Sequence, residues 1–323
     1  MKLRLPVALA VLAWAGALIF LTQRQIPYWH DSERLWNRVL QIDPDSALAH
    51  GNLGALLAAL GRKGEAEWHY AEAVRIDPNS APALNNLGTA LEVRGNAAEA
   101  TKYYEQAIQA ERPSINALNN LGLQLAKQGR LAEAIEHFEK ALAIDPWYAE
   151  AHNNLGVALA SAGRYNEAAG HYQLALRSKP DHEEARTNLV GLLLWHGRYA
   201  EAVKILREGM EEVNSRLTCA ERLAWLLATC PDGSVRDAVE AERLAREVCE
   251  KAQPANPRNL DTLAAALAAN GQFGKAGQTA RAALDAAAAA GQRELAAQIQ
   301  QRLHLYEVQT TYRDPKGRGV LSR

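Results

Sequence analysis

No Cys-x-x-Cys pair occurs in this sequence, and its three cysteines, Cys219, Cys230 and Cys249, are an odd number gathered in one stretch. Such a set builds neither a disulfide framework nor a structural zinc site, and buried small apolar side chains account for it. Aromatic residues make up only 6% of the chain against 48% hydrophobic residues, which excludes large aromatic cores and favours helices packed through small side chains. An excess of positive charge is also lacking: 36 Lys and Arg against 37 Asp and Glu leave a formal net charge of -1, which argues against a nucleic-acid partner. No phosphate-binding loop, Gly-x-Ser-x-Gly elbow, His-Glu-x-x-His pair or dinucleotide fingerprint occurs. The sequence thus offers no catalytic, metal or cofactor site, and a non-catalytic protein is expected.

One long uncharged run does occur, between Arg4 and Arg24. Its apolar part, Leu5 to Leu21, is at the short end of what spans a bilayer as a helix, and Pro6 is tolerated near a helix start. Lys2, Arg4 and the small residues Ala15-Gly16-Ala17 also suit a cleaved signal peptide. Leu18-Ile19-Phe20-Leu21 continue the apolar run past that point, however, whereas a mature chain would normally start with polar residues. Residues 1–24 are therefore expected to form a single-pass anchor in the cell membrane. The balance of Lys2 and Arg4 against Arg24, Arg34 and Arg38 gives only a weak orientation signal. The expected placement is a cytoplasmic amino terminus and an extracytoplasmic carboxy-terminal domain, in the periplasm of a bacterial cell.

Internal repetition dominates the remainder. Leu-Gly recurs at Leu53-Gly54, Leu87-Gly88, Leu121-Gly122 and Leu155-Gly156, each step being 34 residues. In the same frame a Gly returns at mid-repeat (Gly61, Gly95, Gly129, Gly163, Gly197, Gly271), as a helix C-terminus requires. An Ala follows five residues later (Ala66, Ala100, Ala134, Ala168, Ala202, Ala276), then a large residue (Tyr70, Tyr104, Phe138, Tyr172, Leu206), at the spacing of one helix face. Pro78, Pro146 and Pro180 end the second helix of their repeats. Each repeat thus reads as two antiparallel helices, too short to be stable alone and held by their neighbours.

These columns resemble the tetratricopeptide repeat from Ala47 to Ala290. The resemblance implies an all-α, right-handed α-solenoid of helix-turn-helix repeats whose concave groove is lined by first helices, here with an N-terminal transmembrane helix. The expected layout is a linker and half repeat over 25–46, seven repeats (47–80, 81–114, 115–148, 149–182, 183–216, 217–256, 257–290), a capping helix over 291–309 and a disordered basic tail over 310–323. Departures from the pattern are Pro113 one place late, Val190 in the Gly column, and a sixth repeat lengthened around Cys230-Pro231-Asp232-Gly233.

The sixth place of successive repeats holds Asn52, Asn86, Asn120, Asn154 and Asn188, with Asn85, Asn119 and Asn153 beside three of them. Asn costs roughly 0.5 kcal/mol relative to Ala in mid-helix, so its recurrence requires a reason. Two are open. A row of carboxamides in the groove can hydrogen-bond the main chain of an extended peptide, as the resemblance to the asparagine ladder of O-linked N-acetylglucosamine transferases implies. Alternatively, the side chains bond between neighbouring repeats. Trp195 and Trp225 close the row, either as anchors for a ligand side chain or as packing of the irregular sixth repeat. His69, His137 and His171 share one column, as do Glu65, Glu99, Glu133, Glu167 and Glu201. Repeat inheritance accounts for the first set and helix-dipole placement for the second.

The expected function is a membrane-tethered scaffold binding an extended segment of a protein partner. A second reading comes from the flanks. Tyr28-Trp29-His30-Asp31-Ser32-Glu33-Arg34-Leu35-Trp36 and Leu223-Ala224-Trp225-Leu226-Leu227-Ala228-Thr229-Cys230-Pro231 resemble the repeat tails of bacterial membrane glycosyltransferases. That resemblance implies an accessory portion whose catalytic part lies elsewhere.

Overall fold

The computed structural model describes residues 32–251 and 256–315; the expected membrane anchor lies outside these residues. Among them the chain is all-α, with sixteen helices, none of which is long and apolar enough to cross a membrane. The N-terminal compact body, Met1–Asp145, contains α1 (Ser32–Ile42), then the pairs α2 (Ala47–Ala59) and α3 (Lys63–Ile76), α4 (Ala81–Val93) and α5 (Ala97–Gln109), and α6 (Ile115–Lys127) and α7 (Leu131–Ile144). The C-terminal body, Pro146–Arg323, contains α8 (Ala149–Ser161) and α9 (Tyr165–Ser178), α10 (Glu183–Trp195) and α11 (Tyr199–Gly209), α12 (Arg216–Thr229) and α13 (Ala238–Lys251), α14 (Pro257–Ala269) and α15 (Phe273–Ala289), and finally α16 (Arg293–Glu307).

The turn inside a repeat follows from one glycine. Gly61 has φ +79°, a left-handed conformation that a Cβ disfavours, and its neighbours close the first helix: Gly61 N donates to Ala58 O and Arg62 N to Leu57 O. Arg62 then starts the second helix and grips Glu65 at 2.7 and 2.6 Å, a clamp repeated by Arg164 on Glu167 and Arg198 on Glu201. The guanidinium holds each of these carboxyls below its usual range. Helix-dipole placement therefore accounts for only part of the Glu column; pairing with the residue three before it is the other part, an Arg except at Glu99, where Asn96 Nδ2 donates at 2.6 Å. These pairs are solvent-exposed and contribute little stability.

The core of a repeat is a glycine against a ring. A Cβ added to Gly54, Gly88, Gly122 or Gly156 would stand 2.6–2.7 Å from a ring carbon of Tyr70, Tyr104, Phe138 or Tyr172 respectively. The seventh and eleventh places, such as Leu121 and Leu125, are buried beside this contact. In the fifth repeat Val190 replaces the Gly and Leu206 replaces the ring, both fully buried, so volume moves from one helix to the other. Cys219 and Cys230 are buried and Cys249 is half-buried, and burial pushes their thiols up. The extra residues of the sixth repeat form the loop between α12 and α13, with Pro231 to Ser234 exposed.

Candidate functional site

Within each body the first helices define the inner side. Successive first helices touch, α2 with α4 and α4 with α6, and likewise α8 with α10 and α12 with α14. Among the described residues successive second helices stand further apart, and α11 and α13 meet only through side chains, in the Arg207–Glu240 ion pair at 2.6 Å. The second, sixth, ninth and thirteenth places of each first helix line this inner side, opposite the buried seventh, eighth and eleventh.

The two adjacent Asn columns have different roles. Asn85, Asn119 and Asn153, in the fifth place, are buried, whereas Asn52, Asn86, Asn120, Asn154 and Asn188, in the sixth, are half-buried. A sixth-place amide donates to the fifth-place side chain of the repeat before it: Asn120 Nδ2 to Asn85 Oδ1 at 3.1 Å, and Asn188 Nδ2 to Asn153 Oδ1 at 3.0 Å. The fifth-place amide in turn donates to its neighbour, Asn85 to Asn86 at 3.4 Å. In the C-terminal body this relay continues after the asparagines end. Arg222 Nη1 donates to Thr187 Oγ1 at 2.6 Å, Thr262 Oγ1 to Glu221 Oε1 at 3.2 Å, and Arg302 of α16 grips Asp261 at 2.9 and 2.8 Å. Five pairs of changing chemistry thus occupy one geometric position. Buried polar groups need partners, and the relay supplies them between repeats.

Asn86 is the exception. The fifth place of the repeat before it is Gly51, which presents no side chain, and among the described residues Asn86 accepts from Asn85 while no hydrogen bond uses its own amide N–H groups. Asn86 lines a cavity of about 350 Å³ between the first and second repeats. Ala58, Ala66, Tyr70, Ala90 and Val93 form its apolar wall, Thr89 lies beside Asn86, and Lys63 and the Glu67–Arg94 ion pair stand at its rim. A volume of that order is typical of a small ligand cleft. Asn52, by contrast, donates to Leu48 O on its own helix at 2.9 Å.

The two tryptophans part company. Trp195 is 61% exposed, while Trp225 is 1% exposed because the segment after α16 covers it. Tyr312 to Asp314, expected to lie in a disordered tail over 310–323, instead pack on α12: Trp225 Nε1 donates to Asp314 Oδ2 at 3.2 Å, and Asp314 N to Thr229 O at 2.9 Å. Trp225 is therefore not an open anchor in the groove. A contact across 89 residues leaves no trace in local periodicity.

The histidine column has partners that repeat inheritance does not explain. His69 and His171 face His50 and His152, with Nδ1 to Nδ1 distances of 2.9 and 3.0 Å. Each first-helix histidine also places Nε2 near a loop carbonyl, His50 at 3.2 Å from Pro44 O and His152 at 3.1 Å from Pro146 O. The common offset of 19 residues was the available signal. In the third repeat Leu118 stands where His50 and His152 do, and His137 Nδ1 is buried with no hydrogen-bond partner.

Sequence models of the tetratricopeptide repeat match residues 29–81, 69–102 and 159–217, and a model of the TPR repeat matches 122–163. The chain belongs to the tetratricopeptide repeat family, whose repeats are generally non-catalytic scaffolds. Comparison with curated proteins gives no match. Among solved structures the chain is similar to PilF of Pseudomonas aeruginosa, with 20% identity over 66% of this chain and 94% of that one and a TM-score of 0.51. It is also similar to the Cut9–Hcn1 hetero-tetramer of the APC/C, with 18% identity, coverage of 72% and 45%, and a TM-score of 0.53. A third similar structure is the human IFIT1 dimer with m7Gppp-AAAA, with 16% identity, coverage of 81% and 68%, and a TM-score of 0.51. These likenesses are of fold.

Proposed function

We propose that this protein is a membrane-tethered scaffold whose N-terminal body binds an extended segment of a protein partner on its inner face. The observation that carries this reading is the cavity at Asn86, where donors left unused by the relay stand beside an apolar wall. An extended peptide would accept from Asn86 through a main-chain carbonyl and place an apolar side chain against Tyr70, Ala90 and Val93. Tethering rests on the uncharged run from Leu5 to Leu21, with the repeats on the extracytoplasmic side.

Peptides selected from a random displayed library on the full chain test the groove. Binders should share a large aliphatic or aromatic residue and lose affinity about tenfold or more with Val93→Asp or Asn86→Ala, but not with Trp195→Ala. Binders indifferent to both changes in the cavity would overturn the assignment. Amino-terminal sequencing of protein extracted from membranes tests the tether, which a mature start near Leu18 would exclude.

A further inference from the structure

The inner face of α12 is already occupied. Its ninth and thirteenth places are Trp225 and Thr229, and the chain after α16 returns across both. The Tyr312 ring lies 5.8 Å from that of Trp225, and the Arg302 guanidinium stands over both rings at 5.3 and 5.5 Å, itself fixed by Asp261. Arg313 Nη1 donates to Ala228 O at 3.0 Å, and Asp314 is 4% exposed.

We propose that this face is a second peptide site, built for a short aromatic–basic–acidic segment, and that Tyr312-Arg313-Asp314 is its resident, displaceable occupant. The site lies in the C-terminal body and is independent of the cavity at Asn86. Its selectivity follows from what each group can offer. The Trp225 indole is a donor only, so it selects an acceptor such as a carboxylate. The Ala228 and Thr229 carbonyls at the end of α12 accept no N–H from their own helix, so they select N–H groups, and a cation there also complements the helix dipole. The Trp225 and Arg302 platform takes a ring. The occupant supplies these three chemistries in consecutive residues. Its backbone is irregular, Tyr312 and Arg313 are half-buried and Pro315 is exposed, and it is held through side chains and single hydrogen bonds rather than by a helix ladder, the features of a segment that opens locally. A partner carrying the same segment would compete for the face.

The test uses the full chain with Tyr312→Ala and Asp314→Asn together, and a labelled peptide of residues 308–316. The peptide should bind the double variant at least about tenfold more tightly than the wild type, and adding Trp225→Phe, which removes the indole donor, should weaken that binding. A double variant that keeps its helical circular dichroism and binds no peptide, or binds a scrambled one equally, would overturn the proposal and leave the segment as a cap on α12. Hydrogen exchange on the wild type provides a second reading that needs no variant. Backbone amides of 310–314 should exchange at least about a hundredfold faster than those of α12, and protection equal to that of α12 would also overturn displaceability.

Discussion

In the fourth repeat, Nδ1 of His152 faces Nδ1 of His171 at 3.0 Å, the two rings tilted 30° to each other. The carbonyl of Pro146 sets the tautomers. A carbonyl only accepts, so His152 carries its proton on Nε2, its Nδ1 is a lone pair, and His171 donates. The same logic holds for His50, Pro44 and His69. Each pair can take up one proton; a second would set N–H against N–H.

Stability should therefore fall on acidification. Burial first, and the facing histidine second, hold His69 and His171 below their usual range. The unfolded chain then binds more protons below about pH 6.5, so this contribution is complete above that pH and is lost as the pH falls through the depressed folded values. Melting temperature should drop between pH 7.5 and 5, by roughly 2–4 °C per kcal/mol lost, and drop less in a variant with His69→Tyr and His171→Tyr. Equal pH profiles would refute a role for the pairs.

The glycine column predicts a compensating pair. Gly122→Val should destabilise by roughly 1–3 kcal/mol, because its side chain would meet the Phe138 ring. Combining it with Phe138→Leu recreates the arrangement of Val190 and Leu206 and should recover most of the loss. A double-mutant cycle in urea measures the coupling.

The relay predicts unequal costs for identical substitutions. Asn153→Ala leaves Asn188 without its acceptor and should cost roughly 1–3 kcal/mol. Asn52→Ala removes only a bond within its own helix and should be neutral or slightly stabilising, as Ala is the better helix former. Matching effects in thermal melts would contradict the relay.

The last member of the relay should be the most sensitive. Asp261 and Arg302 are 0% and 7% exposed, and Asp261→Ala leaves a buried guanidinium uncompensated, at a cost of about 3–5 kcal/mol. Because Arg302 also supports Trp225 and Tyr312, the same change should raise hydrogen exchange across 310–314.

The repeat frame was legible in the sequence because helix starts and glycine turns are local, set by periodicity and by φ at residues such as Gly61. The division of labour between Asn85 and Asn86 was not. Neighbouring helix positions differ by about 100° in direction, which buries one amide and leaves the other on the inner face. Changing residue types hid the relay beyond Asn188, where Arg, Thr, Glu and Asp serve the same place. Nothing in the column pattern could bring Asp314 to Trp225, since that contact depends on where α16 ends.

The loop between α12 and α13 shows that the 34-residue count is enforced at the junctions between repeats, which the relay spans, and not inside each repeat. Chain length can grow at the exposed tip from Pro231 to Ser234 without shifting any of those junctions. That tip is where a foreign epitope or a reporter could be spliced into the protein while both of its inner faces keep their register.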